Sequence, residues 1–142
     1  MKALLALTIL LTAVSAHAGV KWLDISAQYT CETNHVFLKT AEGLPLNFKP
    51  NEKVIYQPDV SKNQNLVIGN YGYIIWIRQL SDTEMGFTIL KNINGEMKQD
   101  QTLSFASSQA STEMDFPLNN SAGEGSARCK IELSSKPSDK FK

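Results

Sequence analysis

The chain contains two cysteines, Cys31 and Cys129, and between them they bracket almost everything in it that can fold. Neither has the C-x-x-C spacing of a redox pair, and too few histidines accompany them to build a zinc site. In an oxidising compartment such a pair reads as one intramolecular disulfide rather than two free thiols or a bridge between molecules. A bridge needs Cα atoms within about 7 Å, so the first and last folded segments must lie beside or across from one another. Closing a loop of this length stabilises by up to about 4–5 kcal/mol in the chain-entropy treatment.

The compartment is read from the other end of the sequence. Met1-Lys2 supplies a positive charge, Ala3 to Val14 is apolar apart from Thr8 and Thr12, and Ala16 and Ala18 present small side chains in an A-x-A arrangement. These are the three parts of a secretory signal, with cleavage expected after Ala18. A membrane anchor would need about 20 apolar residues, more than the run provides before Ser15. The first cysteine comes too late to be a lipoprotein cleavage site. Residues 1–18 are therefore expected to be a cleaved signal peptide. The mature protein is expected to be exported to the periplasm or beyond, with no transmembrane segment.

Charge narrows the partners. The chain carries 14 basic and 14 acidic residues, and Lys2 leaves with the signal. A mature domain within one charge of neutral has no global field to draw in nucleic acid or an anionic surface. Its basic residues are scattered singly, so nucleic acid is not expected as a partner.

Beyond the signal no 3.6-residue periodicity is sustained. Short β-branched and aromatic runs alternate with Gly, Pro, Asn and Asp clusters, the pattern of strands and turns. In Val20 to Cys31 the odd positions Leu23, Ile25, Ala27, Tyr29 and Cys31 are apolar and alternate with polar Asp24, Ser26, Gln28 and Thr30, which predicts a half-buried strand. Further strands are predicted over His35–Thr40, Leu46–Phe48, Lys53–Gln57, Leu66–Ile68, Tyr71–Leu80, Met85–Lys91, Glu96–Phe105, Thr112–Leu118 and Ala127–Leu133. Gly69-Asn70 reads as a hairpin turn or a bulge. Asn94-Gly95 readily takes the positive φ of a tight hairpin. Polar Ser61–Asn65 and glycine-rich Asn119–Ser126 read as loops. This gives one all-β domain over 19–133 and a flexible polar tail over 134–142. The fold class is an antiparallel β-sandwich, Ig-like in size, of about 7–9 short strands. A small closed β-barrel is the alternative, disfavoured by the unequal strand lengths.

Residues able to do chemistry are sparse. Of two histidines, His17 lies in the signal, so His35 is left alone, and a lone imidazole at a turn reads as a surface residue. Asp82 with Glu84, and Glu113 with Asp115, each have the spacing of two carboxylates on one strand face. An acid–base pair needs environments that split their pKa values, whereas these sit in a polar turn and on a polar strand face. Gly123-Glu124-Gly125 lacks the remaining glycine and the strand–helix context of a phosphate loop. Asn119-Asn120-Ser121 has the form of a glycosylation acceptor. No catalytic residue, metal site or cofactor is assigned.

One stretch breaks the rule for a sandwich strand, which should be apolar on one face only. Around Tyr73–Ile77 the odd positions and the even positions Ile74 and Trp76 are all apolar, with Arg78 following. Either a loop or the chain start at Val20–Trp22 covers the second face, or Ile74, Trp76 and Arg78 form a patch that meets a partner. Trp and Arg are the types most enriched at binding hot spots. The reading is an exported, non-enzymatic interaction domain whose partner is another exported or envelope protein. A secreted inhibitor or ligand-binding barrel comes second, and a small hydrolase third.

Overall fold

Among the described residues the alternating pattern forms nine antiparallel strands in two sheets. The computed structural model describes residues 21–46 and 51–139. In chain order the strands are β1 (Leu23–Asn34), β2 (Leu38–Thr40), β3 (Lys53–Tyr56), β4 (Leu66–Ile68), β5 (Tyr73–Gln79), β6 (Met85–Ile93), β7 (Glu96–Phe105), β8 (Gln109–Asn120) and β9 (Gly123–Pro137). One sheet has the order β3-β1-β9-β8 and the other β2-β4-β5-β6-β7. The fold is a sandwich and is not closed into a barrel. The expected signal at Met1–Ala18 lies outside the described residues, as do Val20 and Phe48 of two predicted strands.

The core forms between the sheets from the predicted inward faces. Ala27, Tyr29 and Cys31 of β1 and Cys129, Ile131 and Leu133 of β9 meet Tyr73, Ile75 and Ile77 of β5 and Met85, Phe87 and Ile89 of β6 in one cluster. Within the first sheet Cys31 and Cys129 are cross-strand partners in the β1–β9 ladder. They are disulfide-bonded with their Cα atoms 4.1 Å apart. The bridge staples neighbouring strands of one sheet.

Turn chemistry accounts for the connections. Asn94 and Gly95 both take positive φ, 55° and 90°, so β6 and β7 are joined by a two-residue turn between the paired Ile93 and Glu96. Gly69-Asn70 proves to be part of the β4–β5 hairpin turn, with Ile68 paired to Tyr73. Within the predicted polar loop, Val60–Lys62 forms a 3-10 turn capped by the Asp59 side chain.

Leu46, expected in a strand, lies outside the nine strands, and β8 starts at Gln109 rather than Thr112. Three further boundaries depart from the sequence reading. His35, expected to open a strand, takes φ 60° in the β1–β2 turn, so β2 is confined to Leu38–Thr40. The predicted loop Asn119–Ser126 is a tight hairpin in which Asn120 pairs with Gly123. Its glycines serve the strand: Gly125, at φ 132°, lies so close to the Asn34 carbonyl that a Cβ would collide with it. Finally, β9 runs four residues past Leu133, to Pro137, which pairs with Leu23. Ser138 then donates its N–H to the Trp22 carbonyl (2.8 Å). Backbone pairing with β1 extends the sheet there despite polar side chains.

Candidate functional site

Tyr73, Ile75 and Ile77 fill the core, so the pleat turns Ile74, Trp76 and Arg78 to the outside of the five-stranded sheet. Register builds two cross-strand rows on that outside. Lys39, Val67, Ile74 and Leu90 lie across four strands, and Trp76 lies beside Thr88 and Thr102. Val67 and Thr88 are 1% and 4% exposed, although both face away from the intersheet core. The Thr88 and Thr102 hydroxyls are hydrogen-bonded at 3.0 Å. Ile74, Trp76 and Leu90 remain half-buried. The Arg78 guanidinium stands over the Trp76 ring, 4.8 Å from its centroid, a cation–π arrangement. Its Nε is buried with no hydrogen-bond partner.

The four-stranded sheet presents a different outer face. Arg128 contacts Glu113 at 3.2 Å and Asp115 at 4.0 Å, and Lys130 contacts Glu132 at 3.3 Å. Exposed Ile55 is the apolar exception. A shallow trough of about 920 Å³ on this sheet includes Gln28, Gln57, Gln109, Ser111 and Ser134 in its lining.

The start of the described chain reaches the end of β5. Gln79 Nε2 donates to the Lys21 carbonyl (2.7 Å), and its Oε1 accepts from the Leu23 N–H (2.9 Å). Beside this clasp runs a groove of about 390 Å³ between β1, the 3-10 turn and β5, with Trp22, Ile25, Val60, Trp76, Ile77 and Arg78 in its walls. Asp59 also lines it. The Ser61 hydroxyl beside Asp59 holds that carboxyl below the usual range, aided by Lys62 and backbone N–H groups. A further cleft, of about 470 Å³, lies at the end of the sandwich near Trp22, Asp82, Ser108 and Pro137.

The remaining candidates have structural surroundings. His35 is exposed, and its backbone N–H donates to Asn51 Oδ1 (3.1 Å). Glu84 accepts from the Ser104 hydroxyl (3.0 Å), while Asp82 stays in the exposed turn. Glu113 and Asp115 share Arg128. Among the described residues no group of three or more His, Cys, Asp or Glu is placed to hold a metal ion. Comparison with known protein families, curated sequences and solved structures finds no match.

Sequence reasoning singled out Ile74, Trp76 and Arg78 as a candidate patch and did not name Val67, Leu90 or the groove. Val67 is legible only once β4 is paired beside β5, because three apolar residues in a row reveal no face. Val60 and Trp22 are brought to β5 by tertiary packing alone. Tyr29, expected on the inner face of β1, carries a hydroxyl that is buried without a hydrogen-bond partner. Its ring stacks on Tyr56 at 6.1 Å. Burial first, and Tyr56 second, push its phenol pKa far up.

Proposed function

We propose that this chain is an exported, non-enzymatic interaction domain that contacts another exported or envelope protein through the outer face of its five-stranded sheet. The observation that carries the reading is Trp76, half-buried beneath Arg78 on a face where Ile74 and Leu90 are also apolar. A solvated outer face has no need of a large aromatic ring there, whereas an aromatic–arginine pair with an apolar surround is the composition of a contact hot spot. Export rests on the three-part signal in Met1–Ala18. No helix among the described residues is long and apolar enough to cross a membrane.

The test places a photo-crosslinking amino acid at position 76, and separately at position 111 on the opposite sheet, in the organism's own cells. A discrete adduct from position 76 and none from position 111 supports the reading. No adduct at 76, or equal labelling at both positions, overturns it. Fractionation of the same cells tests export, which fails if the full-length chain stays with the cytoplasm.

A further inference from the structure

The four outer edges of the two sheets are each defended against an added strand. β2 and β3 are three and four residues long. β7 carries Glu96 and Lys98 and a bulge, because Ile89 pairs with Gln101 and Leu90 with Gln99, leaving Asp100 unpaired. β8 contains Pro117 together with Glu113 and Asp115. Short strands, charges, bulges and proline are the usual means of blocking edge-to-edge pairing.

One edge inside the second sheet lacks such a defence. The Gly72 carbonyl accepts from Asn92 N–H and the Leu80 N–H donates to the Glu84 carbonyl, both at 2.9 Å. Even-numbered positions of β5 therefore spend their backbone groups on β6. The odd ones, Tyr73, Ile75, Ile77 and Gln79, turn theirs the other way. On that side β4 meets Tyr73 and Ile75 through Ile68 and Leu66 and then ends. Among the described residues no strand continues the pairing to Ile77. At Gln79 the residue's own side chain substitutes, its amide holding Lys21 and Leu23. The open stretch is Trp76–Arg78, and it faces the groove that Ile77 helps to line.

We propose that an extended peptide segment of a partner protein adds here as a short strand, pairing with the Ile77 backbone and placing an acidic side chain opposite Arg78. This deepens, and rests on, the reading of Trp76 and Arg78 as contact residues. Three residues suffice, since β2 and β4 are themselves that long. Backbone bonds supply affinity and the flanking side chains specificity, as in other strand additions. Charge selects the occupant. Two carboxylates, Asp24 and Asp59, line the groove with one cation, Arg78. Asp59 is engaged by Ser61 and Lys62, while Arg78 Nε is buried and unpartnered. A cross-strand carboxylate opposite Arg78 gives the guanidinium a charge partner.

The experiment selects phage-displayed random peptides on the signal-free chain and follows amide exchange by NMR. Expected are peptides sharing an acidic residue, which slow exchange at the Ile77 N–H by about tenfold, the protection of one added hydrogen bond. Arg78→Glu should shift the selection to basic peptides, and Asp24→Trp, which fills the groove wall, should abolish binding. Peptides that depend on Trp76 yet leave Ile77 exchange unchanged overturn strand addition while the contact face stands. If no selected peptide depends on Trp76, both readings fall.

Discussion

Cys31 and Cys129 occupy one rung of the β1–β9 ladder, directly opposite each other and 4.1 Å apart at Cα. Their sequence separation of 98 residues makes this rung the longest-range covalent constraint in the fold. Replacing both cysteines by alanine should lower stability by about 2–5 kcal/mol, chiefly by freeing the unfolded chain. Urea unfolding of the two proteins measures the loss. A change below about 1 kcal/mol would mean that the bridge constrains little.

Trp76 and Phe87 should separate a surface role from a core role. Phe87 is fully buried between the sheets, so Phe87→Ala should cost about 3–5 kcal/mol. Trp76 faces outward and is half-buried, so Trp76→Ser should cost about 1–2 kcal/mol and leave a folded protein with unchanged circular dichroism. Equal losses for the two variants would place Trp76 with the core.

Tyr29→Phe should stabilise the protein. The hydroxyl it removes is buried without a partner, and such a group costs about 1–3 kcal/mol. The pH dependence has a definite sign. Burial raises the folded-state phenol pKa above its ordinary value of 10.0, so the unfolded chain releases its proton first. The linked stability is present in full below about pH 10 and is lost as pH rises beyond it. Denaturation midpoints across the alkaline range should fall more steeply for the wild type than for Tyr29→Phe.

The Arg128 cluster should matter little. Its side chain and those of Glu113 and Asp115 are all more than half exposed, so solvent screens both pairs. Arg128→Ala should cost less than about 1 kcal/mol, shrinking further in added salt. A larger loss in thermal unfolding would contradict a purely surface role.

Gly86 should tolerate no side chain. A Cβ at this position would run into the Leu103 carbonyl of the neighbouring β7. Gly86→Ala is expected to cost about 1–3 kcal/mol, the range for overpacking, and to weaken protection of β7 amides in hydrogen exchange.

Much of this fold is legible along the chain because strand alternation is a local signal. Leu23 to Cys31 shows its inner face residue by residue, and Asn94-Gly95 states its turn outright. What stays hidden depends on the partner strand. Gly125 looks like a loop residue until Asn34 is seen beside it, and Ser134 to Pro137 looks like a tail until β1 pairs with it. The same holds for the site. Trp76 is conspicuous because it breaks the polar–apolar alternation, whereas the end of β4 short of Ile77 is a property of two paired strands that no single segment can display.

Sheet order places β9, the last strand described, between β1 and β8. A nascent chain halted before Gly123 already holds β4 to β7, each able to pair with its sequence neighbour as it emerges. Its β1, by contrast, has only the four residues of β3 to bond with. Half of the sandwich therefore waits for the C-terminal strand, and sheet completion is a late, non-local step of the kind that slows folding.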